Sequence, residues 1–148
     1  MNWVAPTIAA VTASGLYPDT PPLRSHALPV SGGHVLQVQE FGHDDGIAAV
    51  MVHGGPGSGS SPLLCRVFDP ARFRVICIDQ RGAGGSRPLG AIDHNTTNHL
   101  LNDLRHVREH LGITRWLVVG GSWGAALAVA HAAAEPDVVT ALLLRASF

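Results

Sequence analysis

The chain has 148 residues, 46% hydrophobic and 14% charged, with a formal net charge of −1. That is enough for one domain with a hydrophobic core and excludes a disordered tail. No basic block exists to grip nucleic acid, and no apolar run approaches the length of a membrane span.

Residues 1–32, rich in Pro, Ser, Thr and Gly, read as an irregular lead-in, and residues 33–148 as the start of a single folded domain. The first 15 residues are apolar but lack a basic segment, and Pro6 interrupts them, so a cytoplasmic location is expected rather than secretion. Residues 34–41 alternate loosely and fit a strand. Short apolar runs at 47–52, 73–78, 116–119 and 138–144, each bounded by turn residues, fit strands buried on both faces of a parallel sheet. Cys77 lies inside one such run and is expected as a buried thiol, with no disulfide to Cys65. Between the strands, Asn95-Thr96-Thr97 offers capping side chains before the helical stripe Leu100, Leu101, Leu104, Val107 and Leu111, which Gly112 ends. The alanine-rich stretch 123–134 reads as a buried helix ending near Pro136. Strand and helix alternate as in a doubly wound α/β domain.

The chemistry concentrates in Gly120-Gly121-Ser122-Trp123-Gly124, a G-x-S-x-G pattern preceded by a strand and followed by a helix. This context makes a nucleophile elbow, a turn so tight that small flanking residues are needed and the serine backbone is strained. Ser122 then stands at the carboxyl edge of the sheet beside a helix N-terminus that favours negative charge. Directly after the strand at 47–52 comes His53-Gly54-Gly55-Pro56-Gly57. Acyl transfer needs two N–H donors aimed at the developing oxyanion. The Trp123 amide supplies one, and Gly54 or Gly55 the other. His53 is expected to organise this loop by hydrogen bonds, and Pro56 to fix its direction. A Walker loop is excluded because the chain has no lysine. G-x-G-x-x-G fails twice, at Ser60 and at Arg87.

These segments, with Asp79-Gln80-Arg81-Gly82-Ala83-Gly84, Asn95-Thr96-Thr97 and the flanks 105–112 and 142–148, resemble the prolyl aminopeptidases (proline iminopeptidases) of the α/β-hydrolase superfamily. The resemblance runs from about Tyr17 to the end of the chain. It implies a mostly parallel sheet with flanking helices, and release of N-terminal proline from peptides or small amides by a serine mechanism, without metal or other cofactor. It also implies Ser122 as nucleophile, the Gly55 and Trp123 amides as oxyanion hole, and Asp79 and Arg81 as residues that structure the loops alongside His53, Gly54, Pro56 and Gly57.

A serine nucleophile needs a base and an orienting acid, which in this fold follow it in the order acid, then histidine. After Ser122 the only acids are Glu135 and Asp137, and the only histidine is His131. His131 lies about 13 Å along the helix from the elbow and points away from it. The triad acid and histidine are therefore expected to be absent, as is the helical cap that the resemblance implies. The chain is expected to be an N-terminal half, cut after the strand that follows the nucleophile helix. It should be inactive by itself and prone to self-association through its apolar sheet edge. His99, Asp103, His106 and His110 share one flank of the first helix, but the pattern is not H-E-x-x-H, and a hydrophilic face is expected there rather than a metal site. A non-catalytic remnant of the fold and another hydrolase, such as an esterase or lipase, remain open as alternatives.

Overall fold

The computed structural model describes residues 15–146. The reading of the first residues as lacking a secretory leader therefore lies mostly outside the described part. Within it, six strands form one sheet: β1 (Arg24–Pro29), β2 (Val35–Gly42), β3 (Ile47–Val52), β4 (Phe73–Ile78), β5 (Trp116–Gly121) and β6 (Val139–Arg145). Their order is β1-β2-β4-β3-β5-β6. The pairs β4/β3, β3/β5 and β5/β6 are parallel, while β1/β2 and β2/β4 are antiparallel. Helices α1 (Pro62–Cys65), α2 (Thr97–His110) and α3 (Trp123–Ala134) join them.

Alternation along the strands explains the two cores. In β3, Val50 and Val52 face one side with Ile76 and Ile78 of β4, and pack against Leu100, Leu104 and Val107 of α2 and Leu127 of α3. Ala49 and Met51 face the other side with Val75 and Cys77, against Cys65 of α1 and Phe68. A continuous apolar run is what a strand covered on both faces requires. Helix α2 starts where Thr96 Oγ1 accepts the His99 N–H, and it stops before Gly112, whose φ is 65°.

Three expectations are corrected. Residues 1–32 are not irregular throughout, because β1 occupies Arg24–Pro29 and pairs with β2 in register from Arg24 opposite Glu40. An antiparallel edge strand needs only half of its side chains buried, so polar residues do not exclude it. Arg24 and His26 reach Glu40, whose carboxylate is fully buried and also accepts from Arg74 Nε at 2.6 Å. Burial alone would raise the Glu40 pKa, but the hydrogen bonds from Arg24, Arg74 and His26 outweigh it and hold it at about 2. The second correction concerns the cysteines. Cys77 is buried as expected, but its sulfur is joined to Cys65 in a disulfide, because α1 lies directly across β4. Thirdly, β6 is not buried on both faces. Leu142, Leu143 and Leu144 are 39%, 48% and 38% exposed, since nothing among the described residues covers the outer side of the strand.

Candidate active site

The carboxyl ends of β3, β4 and β5 sit side by side and deliver the three glycine-rich segments to one edge of the sheet, the usual position for a site in an open α/β sheet. Between β5 and α3, Ser122 has φ 53° and ψ −124°, a strained conformation for a residue with a side chain. Neighbours that cannot tolerate a Cβ hold it there. A Cβ on Gly120 would strike the Gly124 carbonyl, and one on Gly124 would strike the Val52 carbonyl. Helix α3 thus lies directly on the end of β3. The Ser122 N–H donates to the Arg145 carbonyl at 3.0 Å, which ties the elbow to the end of β6. The Ser122 side chain is exposed.

Gly54 faces the elbow so closely that a Cβ there would lie 3.1 Å from Ser122 Cβ and 3.6 Å from its Oγ. His53 is buried beneath this loop. Its Nε2 accepts the Gln80 main-chain N–H at 2.9 Å, and a main-chain N–H can only donate, so the proton of the neutral ring sits on Nδ1. Nδ1–H then donates to the Gly54 carbonyl at 2.9 Å. Burial pushes the imidazole below its ordinary pKa, which favours this neutral form. The Gln80 carboxamide donates to the His53 carbonyl at 2.7 Å, so the loops after β3 and β4 are joined twice.

Asp79 and Arg81 hold the remaining loop backbone. The Asp79 carboxylate accepts the Ser60 N–H at 2.6 Å and the Gly85 N–H at 2.7 Å. Arg81 is buried and uses all five of its donors. Two go to the Asp103 carboxylate, at 2.6 and 2.7 Å, and three go to the Ser31 carbonyl, the Ser31 hydroxyl and the His94 carbonyl. Trp123 opens α3, and its side chain lines an open groove with Pro56, Gly57 and Gln80. The Trp123 main-chain N–H sits in the first turn of α3, where no helical acceptor exists for it. Ser122, Trp123 and residues 53–57 are thereby brought together, with Asp79 and Arg81 one layer behind them.

None of the nine histidines reaches Ser122 Oγ, and the chain has no others. His26 binds Glu40, and His34 the Asp93 carbonyl. The His43 ring accepts from the Asp45 main-chain N–H. His53 is engaged in its loop; His94 packs edge-on against His99, which caps α2. His106 is exposed on α2, and His110 packs against His26. His131 is fully buried and accepts the Trp116 indole N–H at 3.1 Å. Glu135 pairs with Arg105 at 2.6 Å. Among the described residues no group of three His, Cys, Asp or Glu is placed to hold a metal. The α2 flank divides accordingly, with Asp103 given to Arg81 and His99 to the cap. Sequence reasoning did not single out Gln80 for its hydrogen bonds, nor Ser58 or the Asp103 pairing; only the place of Gln80 inside a glycine-rich motif hinted at a role.

Residues 49–147 match the family described as the alpha/beta hydrolase fold. Over 133 residues the chain is 47% identical to a proline iminopeptidase from Arabidopsis thaliana, covering 90% of this chain and 35% of that protein. Among solved structures, VinJ superposes with a TM-score of 0.74 at 31% identity, over 84% of this chain and 44% of VinJ. A proline iminopeptidase-related protein from Thermus thermophilus gives 0.68 at 29% identity, over 82% of this chain and 43% of that one. The chain spans about two fifths of the length of the curated relatives it matches. Among the described residues no helix is long and apolar enough to cross a membrane.

Proposed function

The chain belongs to the alpha/beta hydrolase fold family, and from that premise we propose that it carries the nucleophile and oxyanion hole of a serine hydrolase of the prolyl aminopeptidase type. The observation that carries this reading is the strained Ser122 backbone set against Gly54, with two candidate main-chain donors beside it. In the proposed reaction Ser122 Oγ attacks the carbonyl carbon of an N-terminal prolyl residue while a base removes its proton. The Gly55 and Trp123 amides receive the oxyanion. Collapse expels the amine, which takes that proton, and water then hydrolyses the prolyl ester. The choice of proline rests on the named relatives.

No histidine among the described residues is hydrogen-bonded to Ser122, and the reading takes the base to be supplied from elsewhere. The reading includes self-association through β6, supported by its exposed leucines. It also keeps a cytoplasmic setting.

Hydrolysis of L-proline 4-nitroanilide with and without added imidazole tests the proposal. The expected result is no turnover from the chain alone and slow, imidazole-dependent release that Ser122→Ala abolishes, with the alanine anilide cleaved more slowly. Equal rates for both anilides would favour a general esterase or amidase. Release unaffected by Ser122→Ala would overturn the nucleophile assignment.

A further inference from the structure

The loop after β3 contains a hydroxyl that the reaction outlined above does not use. Ser58 Oγ donates to the Gly54 carbonyl at 2.8 Å, the same oxygen that receives His53 Nδ1–H at 2.9 Å. Two donors on one carbonyl fix the plane of the Gly54–Gly55 peptide. That peptide is trans, since the cis bonds are at 55–56 and 87–88, so its N–H points opposite to its carbonyl. With the oxygen held toward His53 and Ser58, the Gly55 N–H is turned to the other side, and it donates to no group among the described residues. Gly54 Cα presents its open side to Ser122.

We propose that Ser58 is a positioning residue: together with His53, whose tautomer the Gln80 main-chain N–H sets, its hydroxyl orients the Gly54–Gly55 peptide so that the Gly55 N–H meets the oxygen of a substrate bound to Ser122. The proposal rests on the serine hydrolase reading and adds a residue to it. The underlying physics is preorganisation. A glycine-glycine peptide is among the least constrained in a chain, and an oxyanion donor must be fixed before charge develops. Ser58 is exposed, so its removal leaves the core untouched.

The test is nuclear magnetic resonance on the 15N-labelled chain, combined with covalent labelling of Ser122 by a phosphonofluoridate in imidazole buffer. In the labelling step the Oγ–P bond forms, fluoride leaves and imidazole takes the proton. At pH 7 the His53 ring is expected to show a protonated Nδ1 and a bare Nε2. Ser58→Ala should move the Gly55 amide resonance and slow labelling by about 10-fold, a part of the 10²–10³ that losing a whole oxyanion donor costs. Ser58→Thr should restore both, and amides of β5 should not move in either variant. A protonated Nε2, or a Gly55 resonance and labelling rate indifferent to Ser58→Ala, would overturn the proposal. If Ser122 labels in no variant, the hydrolase reading fails while the resonances still decide the loop geometry.

Discussion

The two sides of β5 differ sharply. At the elbow, Gly124 sits against the Val52 carbonyl, the loop after β4 is tied to the loop after β3 by two hydrogen bonds from Gln80, and the buried Arg81 has a partner for each of its five donors, two of them on the buried Asp103 carboxylate. One strand away, β6 leaves three consecutive leucines more than a third exposed. The serine is therefore held mainly by the covered part of the sheet, with one main-chain hydrogen bond to the end of β6, whose exposed leucines lie on the side of β5 away from β3. The difference shows that the strained turn at Ser122 and the glycine loop facing it are held in place while the neighbouring strand remains exposed.

Substitutions on the two sides should separate them by magnitude. The largest effect is expected from Arg81→Met, which strands the Asp103 carboxylate in the interior, where breaking a buried pair costs about 3–5 kcal/mol. A fall in the urea midpoint checks it, and a midpoint near wild type would mean that the Arg81 contacts are incidental. Gly124→Ala follows. Its obstacle is backbone, so the loss should lie near the upper end of the overpacking range, about 3 kcal/mol, seen as a lowered Tm.

Acidification is next. Burial holds the His131 and His53 imidazoles below their ordinary pKa of 6.5. The unfolded chain takes up these protons near pH 6.5 while the folded chain resists, so their stabilisation is complete above pH 6.5 and declines as pH falls. Each histidine contributes at most about 1.4 kcal/mol per pH unit. Urea midpoints at pH 7.5 and 5.5 should show the decline, and His131→Asn should flatten part of it. The smallest effect on stability belongs to the edge: Leu143→Lys should change it by less than about 0.5 kcal/mol. Sedimentation should nevertheless show less self-association, because a charge on an open edge blocks strand pairing.

Legibility in the sequence follows the same division. The runs 47–52 and 73–78 and the helix 123–134 coincide with β3, β4 and α3, because double-sided burial and an alanine-rich stripe leave strong patterns. The elbow was readable for the same reason that it is strained, since only glycine fits at positions 120 and 124. Strand β1 was not readable. Its Arg24 and His26 are polar in sequence and become strand residues only because Glu40 lies across from them. Helix α1 is a single turn, too short for any periodicity, and with it the approach of Cys65 to Cys77 went unseen. Nor could spacing disclose that Asp103 belongs to Arg81, 22 residues earlier, rather than to the histidines beside it. Contacts between loops depend on the assembled sheet, and no local pattern records them.

The most direct test of the central claim is to map where a phosphonofluoridate attaches to the intact chain in imidazole buffer. A preformed elbow predicts a single adduct on Ser122, absent from Ser122→Ala and lost when urea unfolds the sheet. Equal labelling of other serines, or labelling that survives in urea, would contradict it.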